Sequence, residues 1–140
     1  MSVRISRDYI NNILHAAAQH PEEEVCGLLL GRADSARGGW DVLDILPVAN
    51  MAVSPDKYFE LDPVTHLQAQ RLARGRGMHI IGHYHSHPSG ITQPSVADAA
   101  RAFGDGALWL ICSAFGGFHF WCATGEGLHD QFQPVVAEII

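Results

Sequence analysis

Apolar residues recur at helical spacing between Ser6 and His20, where Ile10, Ile13, Leu14 and Ala17 form one stripe. Ser6 suits the N-cap, Asp8 falls in the first turn, and Pro21 stops the run. From Glu24 to Gly31 the pattern becomes continuous: Val25-Cys26-Gly27-Leu28-Leu29-Leu30 reads as a buried strand. A polar loop over Arg32–Gly39 precedes a second strand, Trp40–Val48, and a third, short one, Tyr58–Leu61. Asp62 and Pro63 read as the cap and first residue of a helix reaching Arg74, with Gly75 and Gly77 as its stop. A fourth strand is expected over Met78–His85, a loop over His87–Pro94 and a short helix over Ser95–Phe103. Leu108–Ser113 and Phe118–Ala123 read as a hairpin around Gly116-Gly117, and Pro134–Ile140 as a last strand. Alternating strands and helices followed by a hairpin predict an α/β fold: a mixed β-sheet flanked by helices.

At 140 residues the expectation is a single domain spanning 1–140, large enough for one real core. The chain is 47% hydrophobic and 17% charged, which excludes a disordered polymer. With 9 Lys+Arg against 15 Asp+Glu it carries a formal charge of -6 and no basic run. That argues against nucleic acid or an anionic membrane as a partner. No apolar stretch approaches the ~18–20 residues of a membrane span, and the start has no apolar signal core. Cys26, Cys112 and Cys122 are few, odd in number and widely spaced, which fits a reducing cytoplasm and neither a disulfide framework nor a Cys-x-x-Cys metal site.

The unusual component is histidine, nine in all, four of them between Met78 and Pro88. On an extended strand His83, His85 and His87 point to the same face. Neutral imidazoles two positions apart can share one metal ion, and catalytic zinc sites typically have three protein ligands and an open position. The third ligand is either His83 or a carboxylate brought in from elsewhere. Asp98 is the best carboxylate candidate: the loop after His87 is short, rich in Pro and Gly, and returns at Ser95. Ser95-x-x-Asp98 is also close to a capping box, a helix-start signature without catalytic meaning, and Asp98 is not expected to serve both uses. Glu22-Glu23-Glu24, taken alone, reads as solvated surface. Trp40, Trp109, Trp121 and the phenylalanines read as core. His15, His20, His66, His119 and His129 read as ordinary.

These residues resemble the signature of the JAMM (MPN+) metalloproteases. The sequence has His85-Ser86-His87-Pro88, then six residues, then Ser95 and Asp98. Upstream, Pro21-Glu22-Glu23-Glu24-Val25-Cys26-Gly27 is similar to the family's Glu-containing strand, and Asn50 to Pro63 to its middle segment. The likeness runs roughly from Glu22 to Trp121. It implies a core related to that of the cytidine deaminases, with Zn²⁺ held by His85, His87 and Asp98. It also implies that the metal lowers the pKa of a water toward ~7, that Glu24 is the general base and that Ser95 donates to the oxyanion. Cys26 is then a small buried residue. His83 is a departure, and a structural role is expected for it; Ser86 is expected to support the loop by hydrogen bonding.

The compact length resembles the stand-alone prokaryotic members, similar to the sulfur-carrier-protein cysteine peptidases. The implied substrate is a ubiquitin-like sulfur carrier, cut after its C-terminal diglycine at a peptide or isopeptide bond. An extended tail of that kind suits addition to an exposed strand edge beside the zinc. Two alternatives stand beside this: a zinc peptidase acting on a phage or cell-wall peptide, and a non-catalytic interaction module of the same fold. A zinc deaminase is disfavoured because His-x-Glu and Pro-Cys-x-x-Cys do not occur. Nothing in the sequence sets the oligomeric state.

Overall fold

The continuous apolar run that begins at Cys26 is covered on both faces because its strand is part of a barrel wall. The structure is a computed structural model and describes residues 1–34 and 36–140. Among the described residues seven strands and three helices follow in the order β1 (Ser2–Ile5), α1 (Arg7–Gln19), β2 (Cys26–Asp34), β3 (Gly39–Val48), α2 (Pro63–Gly75), β4 (His79–Ser86), α3 (Val96–Arg101), β5 (Leu108–Cys112), β6 (Phe118–Leu128) and β7 (Phe132–Ile139). The strands close in the spatial order β1-β3-β2-β4-β5-β6-β7, and β7 returns to β1. Most neighbours are antiparallel; β4 with β5, and β1 with both β3 and β7, are parallel.

One apolar cluster joins Val3, Ile5, Leu29, Tyr84, Leu110 and Phe120 to Ile10, Ile13 and Ala17 of α1. Leu28 and Leu30, on the other face of β2, pack with Ala69 and Ala73 of α2 and with Met78. Trp109, Ile111 and Trp121 form a third cluster, against which Ala99 and Ala102 pack at α3. Each fully buried Leu or Ile contributes about 1.5–3 kcal/mol, so these three clusters anchor the elements that carry the site.

The mixed sheet and flanking helices agree with the pattern-based expectation, including Ser6 and Asp62 as caps and Pro63 at the first turn of its helix. Four features differ. Ser2–Ile5, too short to show a period, is a strand whose pairing on both sides closes the barrel. The expected strand at Tyr58–Leu61 does not form; an isolated bridge, Asn50 to Leu61, stands in its place, and Phe59 turns inward. The polar stretch Arg32–Asp34 continues β2 beyond the apolar run, while Ser35, within the loop expected there, lies outside the described residues. Phe103 and Phe115 are exposed rather than core, since Phe103 lies in irregular chain past the end of α3 and Phe115 in the turn between β5 and β6.

Candidate functional site

β2 and β4 run antiparallel with Cys26 opposite His85, so extending both strands by two residues brings Glu24 beside His87. A backbone bond carries that pairing on, Ser86 N–H donating to Val25 O at 2.9 Å, while His87 N–H donates to Cys112 O of β5 at 2.8 Å. β4 and β5 are parallel, and parallel neighbours require a crossover. α3 lies in that crossover, and its first turn returns Asp98 to the carboxyl end of β4.

Four side chains meet there. Glu24, His85, His87 and Asp98 are buried, and one ligand-capable atom from each lies within 4.8 Å of the others. His85 Nε2 is 3.0 Å from His87 Nε2 and 3.2 Å from Asp98 Oδ1, and His87 Nε2 is 3.1 Å from Asp98 Oδ2. Glu24 Oε1 stands farther off, 3.9 Å from His85 Nε2, and has no hydrogen-bond partner among the described residues. Within Glu22-Glu23-Glu24, only Glu24 is buried. His83 is absent from the cluster: its ring lies 4.3 Å from that of Trp109 and 5.1 Å from that of Phe59.

The capping box at Ser95 is real. Asp98 N–H donates to Ser95 Oγ at 3.0 Å, and Ser95 N–H donates to Asp98 Oδ2 at 2.9 Å. From sequence alone, capping and cluster membership are competing uses of Asp98. The structure combines them, because a carboxylate has about four lone-pair positions and the cap occupies one. Ser95 is exposed and borders a cleft of about 330 Å³ with Glu24, Tyr58, His87 and Pro88.

Charge in the cluster is strongly biased. Burial pushes the Glu24 carboxyl up to about 7, against the opposing pull of His87. Burial would also raise Asp98, but hydrogen bonds from His85, His87 and the Ser95 backbone outweigh it and hold the carboxyl well below its usual range. Burial drives His85 toward the neutral form, only partly offset by Asp98. Burial would lower His87, but its bond to Asp98, the charges of Asp98 and Glu24 and the Ile91 carbonyl together exceed that pull and raise it. His87 Nδ1 faces Ile91 O at 2.7 Å, so that nitrogen carries a proton and donates, and a metal taking the place of any proton on Nε2 would bind the lone pair there.

This donor set suits a divalent metal. Atoms bound ~2.0–2.1 Å from one tetrahedral ion lie about 3.3 Å from each other, close to the 3.0–3.2 Å observed between His85, His87 and Asp98. The orphaned Glu24 oxygen is an unpaired buried group facing the same point, as expected where a metal-bound water would sit.

Residues outside the motif hold the cluster in shape. Phe59 stacks on His85 with ring centroids 4.3 Å apart, a contact with no signal in local sequence. Ser86 accepts from Val25 N–H at 2.8 Å, so its support goes to the Glu24 strand rather than to its own loop. Trp121 Nε1–H donates to Thr92 O at 3.0 Å, and His129 Nε2 meets Pro94 O at 3.1 Å, where the ring nitrogen must be the donor. Together with the Thr92–His119 contact at 2.7 Å, these tie the loop between His87 and Asp98 to the β6–β7 wall. His119 and His129 are therefore loop anchors, which spacing alone does not reveal. Cys26 is buried, donates to Val48 O at 3.4 Å and has its thiol raised to about 11 by burial, consistent with a packing role.

A buried His-His-Asp-Glu cluster at the mouth of a closed mixed barrel defines a hydrolase of the JAMM type. The family described as prokaryotic homologs of the JAB domain matches residues 6–125, and the chain belongs to it. A desampylase of Haloferax volcanii is 36% identical over 128 residues, covering 89% of this chain and 88% of that protein. A probable TtuB-protein conjugate cleaving protease of Thermus thermophilus is 32% identical over 88 residues, 63% of this chain and 54% of the protease. A solution structure from Desulfitobacterium hafniense superposes with a TM-score of 0.81 at 26% identity, over 99% of this chain and 92% of that one.

Proposed function

We propose that the chain is a zinc peptidase of the cytoplasm that cuts the peptide or isopeptide bond after the C-terminal diglycine of a ubiquitin-like sulfur carrier. The observation that carries this reading is the convergence of His85 Nε2, His87 Nε2 and Asp98 Oδ on one point, with an unpaired Glu24 oxygen facing it from the cleft side. The similarity to a desampylase and to a conjugate-cleaving protease supports the substrate class.

His85, His87 and Asp98 hold the ion. Zinc, when bound, polarises the scissile carbonyl and lowers the pKa of water toward ~7. Glu24 takes the proton of the attacking water and delivers it to the leaving amine, a task suited to a buried carboxyl raised to about 7. Ser95 Oγ accepts from Asp98 N–H, and its own hydroxyl proton donates to nothing among the described residues. That proton is free to donate to the oxyanion. The strands beside the cluster, β2, β4 and β5, are each paired on both sides and so offer no free edge for the tail to extend. It enters instead along the cleft between Asp56–Tyr58 and Pro88–Ala97.

The test uses sulfur carriers of the source genome, each joined through its C-terminal diglycine to the side chain of a fluorescent lysine peptide, or to a peptide amine. Cleavage after the second glycine, lost with a chelator and restored by zinc, is the expected result. Intact carriers alongside hydrolysis of a cell-wall peptide would transfer the chemistry to the other substrate class.

A further inference from the structure

We propose that Asn50 is a positioning residue for Glu24, fixing where the general base stands relative to the metal ligands; this rests on the peptidase reading above. Glu24 lies ahead of β2, which begins at Cys26, and the backbone bonds between β2 and β4 stop at Val25, so they bring Glu24 to the site without holding its own peptide. Its carboxylate Oε1 is unpartnered among the described residues, so no hydrogen bond to that oxygen sets its direction either. What holds it is its own peptide. Glu24 N–H donates to Pro55 O at 2.7 Å, and Glu24 O accepts from Asn50 Nδ2 at 2.8 Å.

Asn50 is saturated. Its Nδ2 also donates to Tyr58 O at 2.9 Å, and its Oδ1 accepts from Ala52 N–H and Glu60 N–H, each at 3.0 Å. An amide has two donors and two lone pairs, and all four are used. The orientation is unambiguous, because a flip would set oxygen against two carbonyls and the amino group against two N–H donors. The amide thus ties three things together: the backbone of the base, the backbone before Phe59, whose ring stacks on His85, and the turn between them. A displacement of about 1 Å at a reacting group can cost on the order of 10²-fold in rate.

Asn50→Asp is the discriminating variant. It preserves the oxygen that serves Ala52 and Glu60 and replaces the donor to Glu24 O and Tyr58 O with an acceptor. Rates on the carrier–lysine probe are normalised to zinc-loaded, natively folded protein. The expected result is a kcat about 10–100-fold lower, with KM within about threefold and zinc content unchanged. In the Glu24→Gln background the same change should cost nothing further, measured as single-turnover rates, since a residue acting through the base has no effect once the base is gone. Asn50→Gln, which displaces the amide by one methylene, keeps the test valid if Asn50→Asp does not fold, and the same kcat-only loss is expected of it. An unchanged kcat, a loss confined to KM or to zinc content, or an equal loss in the Glu24→Gln background would overturn the positioning role. A wild-type protein that leaves every probe intact would instead overturn the peptidase reading itself.

Discussion

In the proposed mechanism Glu24 and Ser95 divide the chemistry between a buried group and an exposed one, and their substitutions should fail differently. Glu24→Gln keeps size and burial but removes the base. Turnover should fall about 10²–10⁴-fold, while elemental analysis finds zinc retained. Ser95→Ala removes both a hydroxyl donor and a helix cap. Its kcat should fall about 10²–10³-fold, and its stability by about 1 kcal/mol, read from the denaturation midpoint. Much of this was legible at the residue scale. His85 and His87 share a strand face, and Glu24 directly precedes the apolar run that fixes its neighbour Cys26. The stacking of Phe59 on His85 was not legible, because it joins two segments with no common period. Nor was the double use of Asp98, which depends on which lone pairs the cap leaves free.

The strands that deliver these residues depend on close packing between β2 and β4. A Cβ on Gly27 would sit 2.3 Å from the ring of Tyr84, itself fully buried. Gly27→Ala should therefore destabilise the protein by about 1–3 kcal/mol, measured by urea denaturation, and lower activity through the register that aligns Glu24 with His87. Element reading from sequence succeeded where caps and periods were strong, as at α1 and α2. It failed at Tyr58–Leu61, where an aromatic-rich run that reads as a strand is bent by Asn50 and spends Phe59 on the site. It also passed over β1, whose four residues are defined by pairing with β3 and β7 rather than by their own pattern.

For the whole molecule, closure of the barrel was the feature least visible in sequence, since it rests on two parallel pairings made by the chain's first strand with distant partners. The closed wall leaves the site at one strand end, between β2, β4 and the α3 crossover. Because the proposed ligands come from the end of β4 and from α3, metal binding should stabilise the fold as a unit. At free zinc about 1,000-fold above Kd the gain should be roughly 4 kcal/mol, seen as a higher denaturation midpoint with zinc than with chelator. The most direct test of the account is the metal content of the purified protein beside that of His85→Ala/His87→Ala. About one zinc per chain in the wild type, absent from the double variant, is the predicted result. No zinc in the wild type after reconstitution, or equal zinc in both proteins, would contradict it.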